Sequence, residues 1–237
     1  MNASELQARL DAVAAAEGRV LQTLASLAED DLSAPSLCEG WTRGHVLAHV
    51  ALNAHSLVNL MDWARTGTKT PQYASWEERN GDIERFSERT KDEHVAALQS
   101  AGAAFAEAAL AVPLERWEVA VHGIGGSPQP AGTFLFGRLR EVEIHHVDLA
   151  AGYEPADWDE AFVRRVLEEV PGRLGSGVAT PFTVEARDLG LSLQVGDAAP
   201  SVHVKGAGHA VLAWLLGRSD GRDLEATGDL PAVPSWG

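Results

Sequence analysis

The run Arg138, Leu139, Arg140, Glu141, Val142, Glu143, Ile144, His145, His146, Val147 and Asp148 puts carboxylates and imidazoles within three turns of one helical-looking stretch. Residues four apart stand one above the other on a helix, so Glu141 and His145 share a face, Asp148 follows on it, and His146 points elsewhere. A carboxylate and an imidazole make half of a typical zinc site, and one further ligand from another element would leave a coordination position open for catalysis. GWTRGHVLAHV, residues 40–50, offers that ligand twice, because His45 and His49 are again four apart. Spacing favours neither.

The elements that must hold these pairs are helices. Leu6, Leu10, Val13, Val20, Leu21, Leu24 and Leu27 recur at helical spacing and predict a first helix over Ala3 to Ala28. A second runs over Thr42 to Thr66, with Thr42 as N-cap, and carries His45, His49 and His55. A third helical region covers about Trp76 to Val112, with an interruption near Asn80 to Gly81 or at Thr90. The Gly- and Pro-rich stretch His122 to Gly132 reads as a loop, and Thr133 to Ala151 as the fourth helix. Four amphipathic helices with short joints predict a bundle, an architecture that builds metal sites from inward-facing side chains. The remainder changes character: a helix over Trp158 to Leu174, short alternating β-rich runs at Phe182 to Ala186, Leu191 to Val195 and Ser201 to Lys205, then a helix over Gly208 to Leu216. The fold class is therefore α+β, with a helical domain over 1–152 and a smaller α+β domain over 153–237, the boundary falling near Gly152 to Ala156.

A chain of 237 residues, 45% hydrophobic, can build a sizeable core. No run of eighteen apolar residues occurs, and the acid-bearing N-terminus reads as an amphipathic helix rather than a signal peptide, so the expected location is cytoplasmic and no membrane partner is expected. The single cysteine, Cys38, excludes an internal disulfide framework; with no base placed beside it by any motif, packing is its expected role. The net charge of −15, from 34 acids and 19 bases, argues against nucleic acid, whose phosphates need clustered Lys and Arg. It leaves an anionic small molecule open, since a few arginines set a local field. Gly123-Ile124-Gly125-Gly126 lacks the following Lys-Ser/Thr of a phosphate loop and reads as a flexible connection.

The segments CEGWTRGHVLAHVALNAHSLVNLMDWARTGTKTP, ERNGDIERF, REVEIHHVDL and AVLAWLLGRSDG, taken in that order, resemble the mycothiol-dependent maleylpyruvate isomerase family of DinB-like metalloenzymes over nearly the whole chain. The resemblance implies a DinB-like four-helix bundle whose divalent metal, zinc by its mixed N/O ligation, is held by His49, Glu141 and His145, which makes His45 a neighbour. It further implies mycothiol as a low-molecular-weight thiol cofactor and cis to trans isomerisation of maleylpyruvate to fumarylpyruvate, a step of gentisate breakdown. An arginine of the second domain matters for activity in that family and falls on Arg218; Arg79 matches another arginine-bearing block, and Arg43 is a weaker candidate. A planar guanidinium suits bidentate capture of a dicarboxylate substrate. The second domain is thereby expected to contribute to the active-site cleft.

Two other readings stay open on the sequence: a mycothiol-dependent S-transferase acting on another electrophile through the same ligands, and a non-catalytic small-molecule binding protein in which the metal is structural or absent. Asp148 is expected to orient a ligand, to cap the helix end or to face solvent. His55, His94, His122, His203 and His209 have no partner at ligand spacing and are expected to pack or face solvent.

Overall fold

The computed structural model describes residues 1–174 and 177–234, which divide into two compact units, Met1–Gly152 and Tyr153–Gly237. The first contains helices α1 (Ala3–Ser26), α2 (Arg43–Thr66), α3 (Trp76–Ser87), α4 (Lys91–Leu110) and α5 (Thr133–Asp148), with a two-residue hairpin, β1 (Ala120–Val121) and β2 (Gln129–Pro130), before α5.

Each end of these helices has a chemical cause. Asn2 and Glu5 form a reciprocal capping box on α1, and Thr90 and Glu93 do the same on α4. Thr42 accepts from the backbone N–H of His45 to start α2, and Gly67 ends it in the left-handed conformation at φ 80° that a side chain disfavours. The interruption in the third region falls at residues 88–90, with Thr90 the N-cap of α4, and not at Asn80 to Gly81, so that α3 is a short helix outside the four-membered bundle. Gly44 explains how α3 docks: a Cβ there would lie 2.3 Å from the backbone oxygen of Ser87, so only glycine lets the two helices approach.

In the bundle, α1 and α2 each pack against both α4 and α5, which sets the two candidate ligand helices, α2 and α5, side by side. One core cluster joins Leu6, Leu10, Leu57, Leu60, Phe105 and Trp117; a second joins Val20, Leu24, Leu47, Val50, Val142 and Leu149 and lies among the turns that carry His49 and Glu141. Arg138 is buried completely between them. Its guanidinium donates to Val50 O at 2.8 Å and Asn53 Oδ1 at 3.0 Å on α2, and to Glu17 Oε1 at 2.7 Å on α1. It thus fixes α5 against both neighbours one turn before Glu141.

The second unit has α6 (Glu160–Leu174), α7 (Gly208–Leu215) and a sheet of β3 (Phe182–Ala186), β4 (Leu191–Val195), β5 (Val202–Gly206) and β6 (Glu225–Ala226) in the order β4-β3-β5-β6. β3 pairs antiparallel to β4 and parallel to β5, and β6 runs antiparallel to β5. Both helices contact the sheet and each other, burying Val163, Val166, Leu212 and Trp214. α7 ends in a closure typical of glycine: Gly217, at φ 73°, donates to Trp214 O and Arg218 N–H donates to Ala213 O. The hairpin β1–β2 and strand β6 are additions to the predicted elements; at two residues each they are too short to show a period. Among the described residues no helix is long and apolar enough to cross a membrane.

Candidate metal centre

His49 and Glu141 meet across the α2–α5 contact, Nε2 to Oε2 at 3.0 Å, and His145 Nε2 comes to 3.8 Å from the same oxygen. One ligand atom from each of the three residues lies within 4.8 Å of the other two. The rings of His49 and His145 stand edge to face with centroids 4.6 Å apart. His49 is 4% exposed, whereas the side chain of Glu141 is 31% exposed and that of His145 16%, so the cluster has a buried floor and an open side.

The electrostatics follow from burial. Desolvation, then the neighbouring His145, lowers the His49 pKa to about 4 against the pull of its Glu141 hydrogen bond, so the imidazole is neutral near pH 7. Burial pushes Glu141 up, but the His49 hydrogen bond, helped by the neighbouring His49 and His145 rings and Arg140, outweighs it and holds the carboxyl below the usual range. Neutral imidazole and ionised carboxylate are the protonation states in which these groups bind metals. A mixed N/O donor set with an open side fits one divalent ion.

Behind the three, Asp148 is fully buried and its Oδ2 lies 2.8 Å from His145 Nδ1. A carboxylate only accepts, so Nδ1 carries the proton and Nε2 turns its lone pair toward Glu141 and His49. The Cys38 thiol donates to that same Oδ2 at 3.2 Å. Trp41, three residues on, lies over the histidines, 5.6 Å from the His49 ring and 6.2 Å from that of His45.

The structure separates the two α2 histidines that spacing could not. His45 folds back on the helix start, with Nδ1 2.7 Å from Thr42 Oγ1 and Nε2 3.2 Å from Glu84 on α3. His49, one turn deeper, reaches α5. Arg79 joins the cluster from α3: its Nη2 lies 3.2 Å from His49 Nδ1, and its guanidinium sits near the faces of Tyr73 and Trp76. A guanidinium only donates, so in this geometry Nδ1 accepts and Nε2–H donates to Glu141. Desolvation raises the pKa of Tyr73, and hydrogen bonds with Ser56 and Arg79 oppose it. Beside Tyr73 a cavity of about 430 Å³ opens, lined by His55, Ser56, Asn59, Gln72 and Glu78 among others.

The other candidates make contacts of their own. Arg43 donates to the carbonyls of Leu149, at 2.7 Å, and Ala150, at 2.7 Å, closing the C-terminal end of α5 rather than facing the cluster. Arg218 is half-buried just past α7 in the second unit and donates to Leu216 O at 2.6 Å. His146 turns away as expected, buried, with Nε2 2.7 Å from Thr23 Oγ1 on α1. His94 is buried, His122 meets the edge of Trp63, and His203 bonds Thr183. The expectation that Cys38 merely packs is corrected by its bond to Asp148. No spacing pattern links two residues 110 positions apart, so sequence reasoning could not pair them. Trp41 and Arg138 were in view in the sequence, one inside the GWTRGH block and the other three residues before Glu141, but neither type signals a metal site.

The family model of the mycothiol maleylpyruvate isomerase N-terminal domain matches residues 13–150. The chain belongs to that family. The match takes in α2 through α5 and with them His49, Glu141 and His145. Among solved structures, the mycothiol-dependent maleylpyruvate isomerase and a histidine-to-alanine mutant of it are each similar at a TM-score of 0.90 and 29% identity, over 98% of this chain and 97% of theirs. No curated protein matches the chain significantly.

Proposed function

We propose that this member of the family is a mycothiol-dependent maleylpyruvate isomerase whose divalent metal is held by His49, Glu141 and His145. The observation that carries the reading is the convergence of two imidazole nitrogens and a carboxylate oxygen on one point with an open side, in a chain similar over its whole length to an isomerase of that name. The mixed donors favour zinc. When bound, the metal supplies a centre that acidifies a thiol, and the thiol supplies a reversible nucleophile that makes a locked double bond rotatable.

The chain's own part is to hold, orient and bind. Asp148 keeps the proton of His145 on Nδ1 and the Nε2 lone pair free. When His49 presents Nε2 as a ligand, its own proton sits on Nδ1 and faces Arg79, donor against donor, so the guanidinium turns to another acceptor. A substrate carboxylate is that acceptor, and the flanking rings of Tyr73 and Trp76 steady the arginine for it. Charge that develops on the dioxo side of the substrate is met by the same cation. The cavity beside Tyr73, with amide, hydroxyl and carboxylate groups in its lining, suits a hydroxyl-bearing small molecule better than an apolar one. Arg218 is the second unit's candidate for a further carboxylate.

The test is direct. Purified protein with zinc and mycothiol is given maleylpyruvate, and fumarylpyruvate is followed; conversion that needs both the metal and the thiol is the expected result. No conversion with both present rejects the isomerase, and a stable thiol conjugate with some other electrophile would reassign the chain as an S-transferase.

A further inference from the structure

The segment between α1 and α2 ends at the back of the cluster, and its turns are held by its own hydrogen bonds. Ser36 Oγ donates to Trp41 O at 2.9 Å and accepts from Cys38 N at 3.1 Å, while Trp41 N donates to Cys38 O at 3.0 Å. Gly40 supplies the left-handed turn at φ 77°. Leu37 N donates to Asp148 O at 2.9 Å, pinning the segment to the end of α5. These bonds fix the backbone at the half-buried Cys38, and its thiol donates to Asp148 Oδ2 at 3.2 Å.

That oxygen is the one that accepts from His145 Nδ1 at 2.8 Å. A carboxylate oxygen has two lone pairs, so it takes both donors at once. A fully buried carboxylate is stabilised by each donor it keeps, and its plane is fixed by two donors better than by one. With that plane fixed, the His145 ring is fixed, since the ring and the carboxylate are three residues apart on one helix. We propose that Cys38 and Asp148 form a positioning pair that holds His145 with its Nε2 lone pair turned to Glu141 and His49.

The cysteine is thus neither a nucleophile nor filler. It acts through Asp148 and does not touch the reacting atoms. The alternative use of the same atoms, a second metal site made by Cys38, His145 and Asp148, competes with this one. It would require the Nδ1 proton and the thiol proton both to leave, and it would place ions on both nitrogens of one imidazole.

The proposal rests on the ligand assignment above, and its test separates the two. Zinc affinity is measured by chelator competition on wild type, Cys38→Ala, Cys38→Ser, Asp148→Ala and the double variant Cys38→Ala/Asp148→Ala. Loss of an outer partner of a ligand weakens metal binding about 10- to 100-fold, which is the expectation for Asp148→Ala; Cys38→Ala, removing one support of that carboxylate, costs about 3- to 10-fold. Cys38→Ser keeps a donor and stays within about 2-fold of wild type. In the Asp148→Ala background the Cys38→Ala change adds less than about 2-fold, because the cysteine acts only through that carboxylate. Additive losses, or a Cys38→Ala protein as tight as wild type, would overturn the pair. So would two equivalents of zinc on wild type and one on Cys38→Ala, which would establish a second site. Nitrogen-15 spectra of the histidines in metal-free protein need no bound ion: the proposal predicts His145 as the Nδ1–H tautomer, and the Nε2–H tautomer refutes it. If wild type binds no zinc while that tautomer is present, the ligand assignment fails and the positioning pair stands.

Discussion

Helix α5 carries two pairs of one glutamate and one histidine, and they have opposite fates. Glu141 and His145, four apart, face α2, where their ligand atoms and that of His49 crowd within 4.8 Å. Glu143 and His146, three apart, are both buried and face α1, where Glu143 pairs with Arg19 and His146 meets Thr23. The residue types are the same. On the α1 side Glu143 meets a cation and His146 a hydroxyl, so the pairs fasten two helices. On the α2 side two imidazole nitrogens and a carboxylate oxygen crowd one place. Convergence of ligand atoms, not the presence of His and Glu, is what makes the α2 side the candidate metal centre, because a cation can be held by several donor atoms at one point.

The sharpest break of this comparison is to remove an acceptor from the converging side. Glu141→Ala should abolish metal retention and thiol-dependent isomerisation while leaving the fold intact by circular dichroism. Retained zinc in that variant would show that the cluster is an ordinary polar contact. Next in size is Arg138, which serves both sides at once. Arg138→Met leaves Glu17 without its partner and should cost about 3 kcal/mol in a urea titration, since half-removed buried ion pairs cost about 3–5 kcal/mol and Glu17 keeps some solvent. Arg79→Met tests whether the cation beside His49 serves a substrate. It should lower kcat/KM for maleylpyruvate about 10- to 100-fold, the worth of a charge-assisted hydrogen bond, with zinc content unchanged. An unaltered kcat/KM would assign Arg79 to shielding His49 alone.

On the fastening side the effects are smaller and of another kind. Glu143→Gln weakens a pair whose arginine is 39% exposed, so the loss should be about 1 kcal/mol of stability, with metal stoichiometry and activity intact. A third buried imidazole, His94 on α4, lies outside both pairs. Burial chiefly lowers its pKa, so below the ordinary histidine pKa of 6.5 the unfolded chain binds more protons than the folded one, and stability falls as pH drops through that value. The urea midpoint of metal-free wild type should therefore decline between pH 7.5 and 5.5, and His94→Phe should reduce the decline, leaving the part that the buried His49 contributes. An equally steep decline in that variant would place the acid sensitivity elsewhere.

Most of this organisation was legible in the sequence where it depends on period and caps. Thr42 as N-cap, the Glu141–His145 stacking, the turning away of His146 and the three five-residue strands follow from neighbours in the chain. What was not legible depends on contacts between distant residues. His45 and His49 share one helix face, and only the depth at which α5 crosses α2, set by Arg138 and the Val50–Val142 core, brings the second to Glu141 while the first remains at the cap. Arg43 looks like a free cation until the end of α5 is seen beside it. Cys38 has no meaning until a loop fixed by Ser36, Trp41 and Leu37 lays it against Asp148.

The most direct measurement is the metal content of three purified variants compared with wild type: His49→Ala, His145→Ala and His146→Ala. The account predicts one equivalent of divalent metal on wild type and on His146→Ala, and none on His49→Ala or His145→Ala. Metal retained by His145→Ala and lost from His146→Ala would contradict it.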